Sequence, residues 1–268
     1  VPQDAVTAAF EPHRFSSAAA HYRRGRAAYA PALIRQVADA AGLGSESRVL
    51  DLGCGPGPLA IGFGYFAGEV LGLDPEPNMI AAAQDAAAGL TPNVRFVLGS
   101  SWDLSPALGR FQLVTMGRSF HWMDRSETLR RLDRLIEPTG AVALFADSHP
   151  DVPENAWRAA WRDILDRYRE PGMPPRGGGG RLDRHRDVLE ESVFSALTVI
   201  RVLDRRTISS ESLIDRALSM SSTSAGRIGA AAEGMVTALR EVLREVAPGG
   251  QLTELVESHA VLARRGPG

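Results

Sequence analysis

Val49-Leu50-Asp51-Leu52-Gly53-Cys54-Gly55-Pro56-Gly57 carries a short apolar run into a glycine-rich turn, and a helical pattern starts directly after it. A strand that turns into a helix through glycines is where a doubly wound α/β sheet receives an adenosine-containing ligand, because the backbone can approach closely there. Two kinds of loop share this look. A dinucleotide fingerprint, GxGxxG, counted from Gly53 requires glycine at position 58, where the helix packs closely and a pyrophosphate sits on its N-terminus. Here the residue is Pro58. Asp51, two residues before Gly53, repels a pyrophosphate but suits a ligand bearing an ammonium and a sulfonium. Downstream, Asp74 closes the next apolar run, where a carboxylate can accept hydrogen bonds from both ribose hydroxyls. The loop therefore favours a cationic nucleoside over a dinucleotide.

Outward from this loop the same rhythm repeats. Apolar runs at 48–52, 70–73, 94–98, 111–116 and 141–145 alternate with helical patterns at 59–66, 77–87 and 126–135, the last stopped by Pro138 and Gly140. Strands that alternate with helices predict a mostly parallel sheet covered on both faces, joined by right-handed crossovers. Residues 18–26 and 31–41 read as two helices of an N-terminal arm, with Pro31 suited to a first turn and Gly42 and Gly44 to a stop. After Phe145 the rhythm breaks. Trp157, Trp161, Leu165 and Tyr168 fall at helical spacing within 155–169, and the Pro- and Gly-rich stretch 171–181 follows as an irregular, lid-like loop. A strand at 197–203, helices at 211–220 and 227–246, and a closing strand at 257–263 complete the chain. The expected regions are an arm at 1–45, a cofactor-binding Rossmann-like core at 46–147, a helical cap insertion at 148–192, and a C-terminal part at 193–268 that completes the sheet.

Composition narrows the function classes. The 268 residues are 44% hydrophobic and 23% charged, which describes a globular chain with a sizeable core. Thirty basic residues, all arginine, against 32 acidic ones leave a net charge of -2, so no global positive field draws the chain to nucleic acid or anionic lipid. Arg181, Arg184 and Arg186 cluster, but Asp183, Asp187, Glu190 and Glu191 are interleaved with them. Catalysis by lysine is excluded. The single cysteine, Cys54, supplies neither an internal disulfide nor a multi-cysteine metal site, and no metal is expected. No apolar run reaches the roughly 18 residues a membrane span needs, and Val1 to Arg14 lacks a leader pattern, so a cytoplasmic chain without a membrane partner is expected.

With the glycine loop, Asp74 and the GLDPEPNMI stretch at 72–80 in view, the sequence resembles the class I S-adenosylmethionine-dependent methyltransferases, small members of which carry a VLDLGCGPG loop. The resemblance covers roughly residues 15–145. It implies a seven-stranded, mostly parallel, doubly wound sheet of order 3-2-1-4-5-7-6. It also implies S-adenosyl-L-methionine as cofactor, released as S-adenosyl-L-homocysteine. Asp51, Gly53 and Gly55 would form the cofactor loop, and Asp74 would hold the ribose. Pro75 and Met79 are candidate contacts to adenine. The third strand ends at Ser100, where such enzymes often have an acid for the adenine amino group. A hydroxyl can accept that bond without charge assistance. Ser101 would offer its backbone N–H to the ring, and Trp102 either covers the adenine face or fills the core rim.

Tyr22 to Tyr29 resembles the family's Y-x-x-x-R-x-x-Y stretch, which caps the cofactor. Tyr22 and Arg26 are its candidate contacts, with the Arg26 guanidinium suited to the methionine carboxylate. The alternative for Arg26 is a solvated helix face. The fourth strand ends Gly117-Arg118-Ser119-Phe120-His121-Trp122, similar to the family's strand-four loop ending in His-Trp. Gly117 and Arg118 would meet the cofactor's amino-acid end through main chain. His121 is the candidate general base, having an imidazole suited to neutral pH, although it can equally shape the pocket. On the acceptor side the candidates are Trp122, Asp147, His149, Met220 and Ser221. Their mix of hydroxyls, imidazole and one carboxylate suits a small polar metabolite, such as a sugar or amino sugar of a natural product, methylated on oxygen or nitrogen. A monomer or homodimer is expected. A non-catalytic cofactor-binding module is the alternative, and an NAD-dependent oxidoreductase the third.

Overall fold

The computed structural model describes residues 19–26, 28–169 and 181–267. Helices α1 (Ala19–Gly25) and α2 (Pro31–Ala40) lead into β1 (Arg48–Leu52), α3 (Pro58–Phe63), β2 (Glu69–Asp74), α4 (Pro77–Ala87), β3 (Val94–Leu98), β4 (Phe111–Gly117), α5 (Arg125–Leu132) and β5 (Ile136–Ser148). Then follow α6 (Trp157–Tyr168), α7 (Arg181–Glu190), β6 (Ala196–Ser209), α8 (Ser210–Leu218), α9 (Ala225–Ile228), α10 (Ala231–Val246) and β7 (Gln251–Arg264). The strands form one sheet of order β3-β2-β1-β4-β5-β7-β6, as the resemblance implies. β1 to β5 pair in parallel and β7 runs antiparallel between β5 and β6. Central strands buried on both faces need apolar side chains on both, and Val49, Leu50, Leu113 and Val114 are fully buried.

Two apolar clusters cover the faces. One joins Leu33 and Val37 of α2 to Leu59 and Phe63 of α3, while the other sets Leu129 and Leu132 of α5 beside Leu189 of α7 and Phe194. A third cluster lies off the sheet: Trp157, Trp161 and Leu165 of α6 pack on Leu213 of α8 and Leu239 of α10. The aromatic spacing in 155–169 is thus a packing stripe that builds a cap.

Three boundaries differ from the sequence expectation. The helix expected at 126–135 ends at Leu132, and Pro138 and Gly140 lie inside β5. The register slips there, from Phe111 opposite Ile136 to Leu113 opposite Ala141, and such an irregularity tolerates a proline that has no N–H to give. β6 and β7 pair along 14 residues each, twice the apolar lengths visible in sequence, because β6 is an edge strand whose polar residues alternate outward. Helix 227–246 is split at Gly229, where φ is 52°. Of the expected lid at 171–181 only Arg181 is described, as the first residue of α7; the rest lies outside the described residues. Among the described residues no helix is long and apolar enough to cross a membrane.

Candidate functional site

At the carboxyl ends of β1, β2 and β4 lies a cavity of about 510 Å³. Its floor is the turn after β1. Gly53, Gly55 and Gly57 all have positive φ (69°, 55° and 82°), a region costly for other residues. At Gly53 a Cβ would also stand 2.5 Å from that of Ser119. The Gly53 and Cys54 amides both donate to the Leu73 carbonyl (2.8 and 2.9 Å), which binds the turn to β2.

Asp51 is only 1% exposed. Its carboxylate accepts from the Ala60 amide in the first turn of α3 (3.1 Å) and from the Thr115 hydroxyl on β4 (2.9 Å). Burial pushes its pKa up to about 7; the two hydrogen bonds oppose this, and nearby Asp74 adds to it. The carboxylate therefore holds the glycine turn and helix together as well as lining the cavity. Asp74 accepts from the Gly55 amide (2.8 Å) and the Glu76 amide (2.9 Å), one on each oxygen. Burial, against those two bonds, pushes it up to about 6. A carboxylate offers about four lone-pair sites, so two remain for a ligand diol. Pro75 and Met79 line the wall beside it.

On the opposite wall Ser100 is committed locally. Its hydroxyl donates to Asp103 (2.8 Å) and accepts from the Trp102 amide (3.2 Å), while its own amide donates to Asp103 (2.8 Å). This is a capping box around a short 3₁₀ turn. The Ser100 hydroxyl has thus spent its hydrogen and one of its two acceptor lone pairs, leaving one for the expected bond. The acid on this wall is Asp103, which lines the cavity, and hydrogen bonds from Ser100 hold its pKa below the usual range. Ser101 is buried at the wall. Trp102 lines the cavity yet is 58% exposed, with the Arg131 guanidinium 5.0 Å from its ring centroid.

The roof comes from α1, the segment after it and the β4 turn. Tyr22 and Arg26 line the cavity, with Arg26 over the Tyr22 ring at 5.5 Å and its Nε donating to the Ser219 hydroxyl (3.0 Å). Tyr29 is a site residue that the sequence motif contains but that was not singled out. It is 3% exposed, lines the cavity, and its hydroxyl has no hydrogen-bond partner among the described residues. Burial raises its pKa well above the ordinary value, so it stays a donor. Gly117 gives it room, since a Cβ there would lie 2.5 Å from the Tyr29 hydroxyl. Arg118 is the one non-glycine with positive φ (57°) among the described residues. Its amide donates to the Phe145 carbonyl (3.1 Å). Its guanidinium lies 4.5 Å from the Tyr29 centroid and pairs with Asp147. His121 and Trp122 line the cavity with ring centroids 4.6 Å apart, on a short turn that Ser119 holds to β1 through the Leu52 carbonyl (2.8 Å).

Three acceptor-side candidates are not brought to the cavity wall. Asp147 is tied to Arg118 and to the Ser258 hydroxyl (3.0 Å). His149 faces the fully buried Glu254 (3.2 Å), with burial lowering its pKa. Met220 packs with the cap cluster. Their neighbours in space come from β7 and α8, pairings invisible to a local reading. Ser221 does line the cavity, joined by Ser219, which the sequence did not single out. Among the described residues no group of three His, Cys, Asp or Glu is arranged to hold a metal.

Comparison with known proteins follows this geometry. Residues 49–140 match the model of a methyltransferase domain family. An uncharacterized methyltransferase of Mycobacterium tuberculosis is 27% identical over 157 residues, covering 59% of this chain and 60% of the relative. The malonyl-[acyl-carrier protein] O-methyltransferase of Enterobacter lignolyticus is 33% identical over 167 residues, covering 59% and 61%. The chain thus spans about 60% of the length of these curated relatives. Among solved structures, a SAM-dependent methyltransferase from Geobacter sulfurreducens in complex with S-adenosyl-L-homocysteine has a TM-score of 0.55 at 16% identity, covering 96% of this chain and 99% of that one. The YcgJ protein of Bacillus subtilis has a TM-score of 0.54 at 20% identity, covering 88% and 99%. At such identities these two structures speak for the fold. Domain match, sheet order and named relatives agree: residues 49–140 match a methyltransferase domain, and the chain has the fold of the S-adenosylmethionine-dependent methyltransferase structures.

Proposed function

We propose that this chain binds S-adenosyl-L-methionine and transfers its methyl group to an oxygen or nitrogen of a small molecule. The observation that carries the proposal is the placing of two buried carboxylates, Asp51 and Asp74, on either side of a positive-φ glycine turn at one cavity. Anionic groups at this turn suit a cationic nucleoside and oppose a pyrophosphate. The residues present fit the group: Asp74 has spare acceptor sites for a diol, Arg26 is a cation for a carboxylate, and Tyr29 offers an unpartnered donor. When bound, the cofactor supplies a methyl group already activated on a sulfonium. The chain's own work is to orient the acceptor, exclude water and, where the acceptor must lose a proton, receive it at the His121 imidazole.

We take the acceptor to sit beside His121, Trp122 and Ser221, the expected acceptor-side residues that line the cavity. This surface favours a compact acceptor with a hydroxyl or amine. The sugar or amino sugar expected from sequence loses Asp147 and His149 as supports, since both are engaged away from the cavity. Assays with methyl-labelled S-adenosylmethionine against hydroxylated, aminated and phenolic metabolites, with a malonyl thioester prompted by the Enterobacter relative's name, test the proposal. Binding without label transfer to any of them would favour a non-catalytic module.

Two smaller predictions arise here. Tyr29→Phe should weaken cofactor binding about five- to tenfold with the melting temperature nearly unchanged, since one buried hydrogen bond to a charged group is lost. An unchanged dissociation constant would remove Tyr29 from the ligand's partners. The second concerns pH. A cationic ligand favours ionised Asp51 and Asp74, so its affinity should rise between pH 6 and 8 with proton release, which calorimetry in buffers of different ionisation enthalpy detects. In the ligand-free chain the sign is opposite for stability. Asp51's contribution is full below the unfolded value near 3.8 and is lost as pH rises through about 7. Asp51→Asn should flatten both profiles.

A further inference from the structure

The arm helix α1 packs against α8, and the contact is made at two levels. The inner level is buried. Arg216 donates from Nε to the Gly25 carbonyl (3.0 Å) and grips Glu254 of β7 with both terminal nitrogens (2.8 and 3.0 Å). Gly25 sits so tightly that a Cβ there would lie 2.1 Å from the Arg216 backbone nitrogen. The outer level is a clamp on one carboxylate. Asp215 is met by His21 Nδ1 at 2.6 Å and by Arg24 Nε and a terminal nitrogen at 2.8 and 3.1 Å. Burial pushes the Asp215 carboxyl up, but the bonds from Arg24 and His21 outweigh it and hold it below the usual range.

Between these anchors α1 carries Tyr22, and Arg26 follows at its end; both line the cavity. Arg26 in turn touches Ser219 one turn beyond Asp215, and Ser219 donates back to the Arg216 carbonyl (2.7 Å). The order of contacts runs from β7 through Arg216 to Gly25, and from Asp215 to α1, ending at the two ligand-facing side chains. A short helix has little stability of its own, so its position depends on such tertiary ties.

We propose that Asp215 is a positioning residue: by clamping His21 and Arg24 it holds Tyr22 and Arg26 over the ligand, so the clamp sets cofactor affinity. This rests on the S-adenosylmethionine reading of the cavity. The clamp is partly exposed, Arg24 being 58% and Asp215 16% accessible, so it can open for ligand exchange without unfolding the buried Arg216–Glu254 pair.

The test uses the full chain with Asp215→Arg, Arg24→Asp and the double exchange. Asp215→Arg puts a cation beside Arg24 and His21. It should weaken S-adenosylmethionine binding and raise its KM about three- to tenfold, with kcat at saturation little changed. Trypsin should cleave the arm at Arg23 or Arg26 faster in the single variants. The double exchange rebuilds an ion pair and should recover most of the affinity and protection. Wild-type affinity and cleavage in Asp215→Arg would overturn the clamp, as would weakened binding that the double exchange leaves unrepaired. If the unaltered chain fails to bind S-adenosylmethionine, the cofactor reading falls, and the trypsin comparison still decides whether Asp215 holds the arm.

Discussion

His121→Ala should turn over about 10² to 10⁴ times more slowly than the unaltered chain while binding S-adenosylmethionine with nearly the same affinity, the range for losing one proton-transfer group. The prediction rests on where the imidazole stands. It lines the cavity on a turn held by the Ser119 hydroxyl to the Leu52 carbonyl, with the Trp122 ring beside it. His121→Asn keeps a polar group of similar size that cannot take up a proton near neutral pH. If the asparagine variant keeps near-normal turnover, the base role is eliminated and alignment is the chain's catalytic contribution. If it falls as far as His121→Ala, and the unaltered enzyme's rate rises with pH through a histidine titration, proton transfer is the role.

Asp74→Ala should weaken cofactor binding by about ten- to a hundredfold, since it removes two charge-assisted hydrogen bonds from a ligand diol, and about 1.4 kcal/mol already gives tenfold. The structure adds a second loss. The Gly55 and Glu76 amides would also lose their acceptor, which loosens the glycine turn and the entry to α4. Asp74→Asn separates the two losses, because its carbonyl can still accept one of those amides while the charge is gone. Calorimetry with thermal unfolding on both variants measures them. Normal affinity in Asp74→Ala would mean that no ribose is held at the end of β2.

The cofactor side of this cavity is legible in the sequence because its determinants are local. Asp51, Gly53, Gly55 and Asp74 lie at strand ends, where a run of apolar residues meets a turn, and the turn itself demands glycine at positive φ. Ser100 is a different case. Its position at the end of β3 is legible, but Asp103 three residues on captures its hydroxyl, a competition decided by the geometry of a tight turn. The acceptor side is hidden for a physical reason. Asp147 near the end of β5 and His149 just after it have their partners, Ser258 and Glu254, more than a hundred residues away on β7, whose first half has no apolar run to announce it. Arg216 and Glu254 are likewise polar residues that look solvent-facing by type and are buried where they satisfy each other, with Gly25 and His149 as further partners.

Titration calorimetry of the unaltered chain with S-adenosylmethionine, S-adenosylhomocysteine and NAD tests the central claim most directly. Saturable binding of both S-adenosyl compounds, far tighter than that of NAD, is the predicted result, because Asp51 beneath the glycine turn and Pro58 in place of a third glycine oppose a pyrophosphate. NAD binding tighter than S-adenosylmethionine would contradict it.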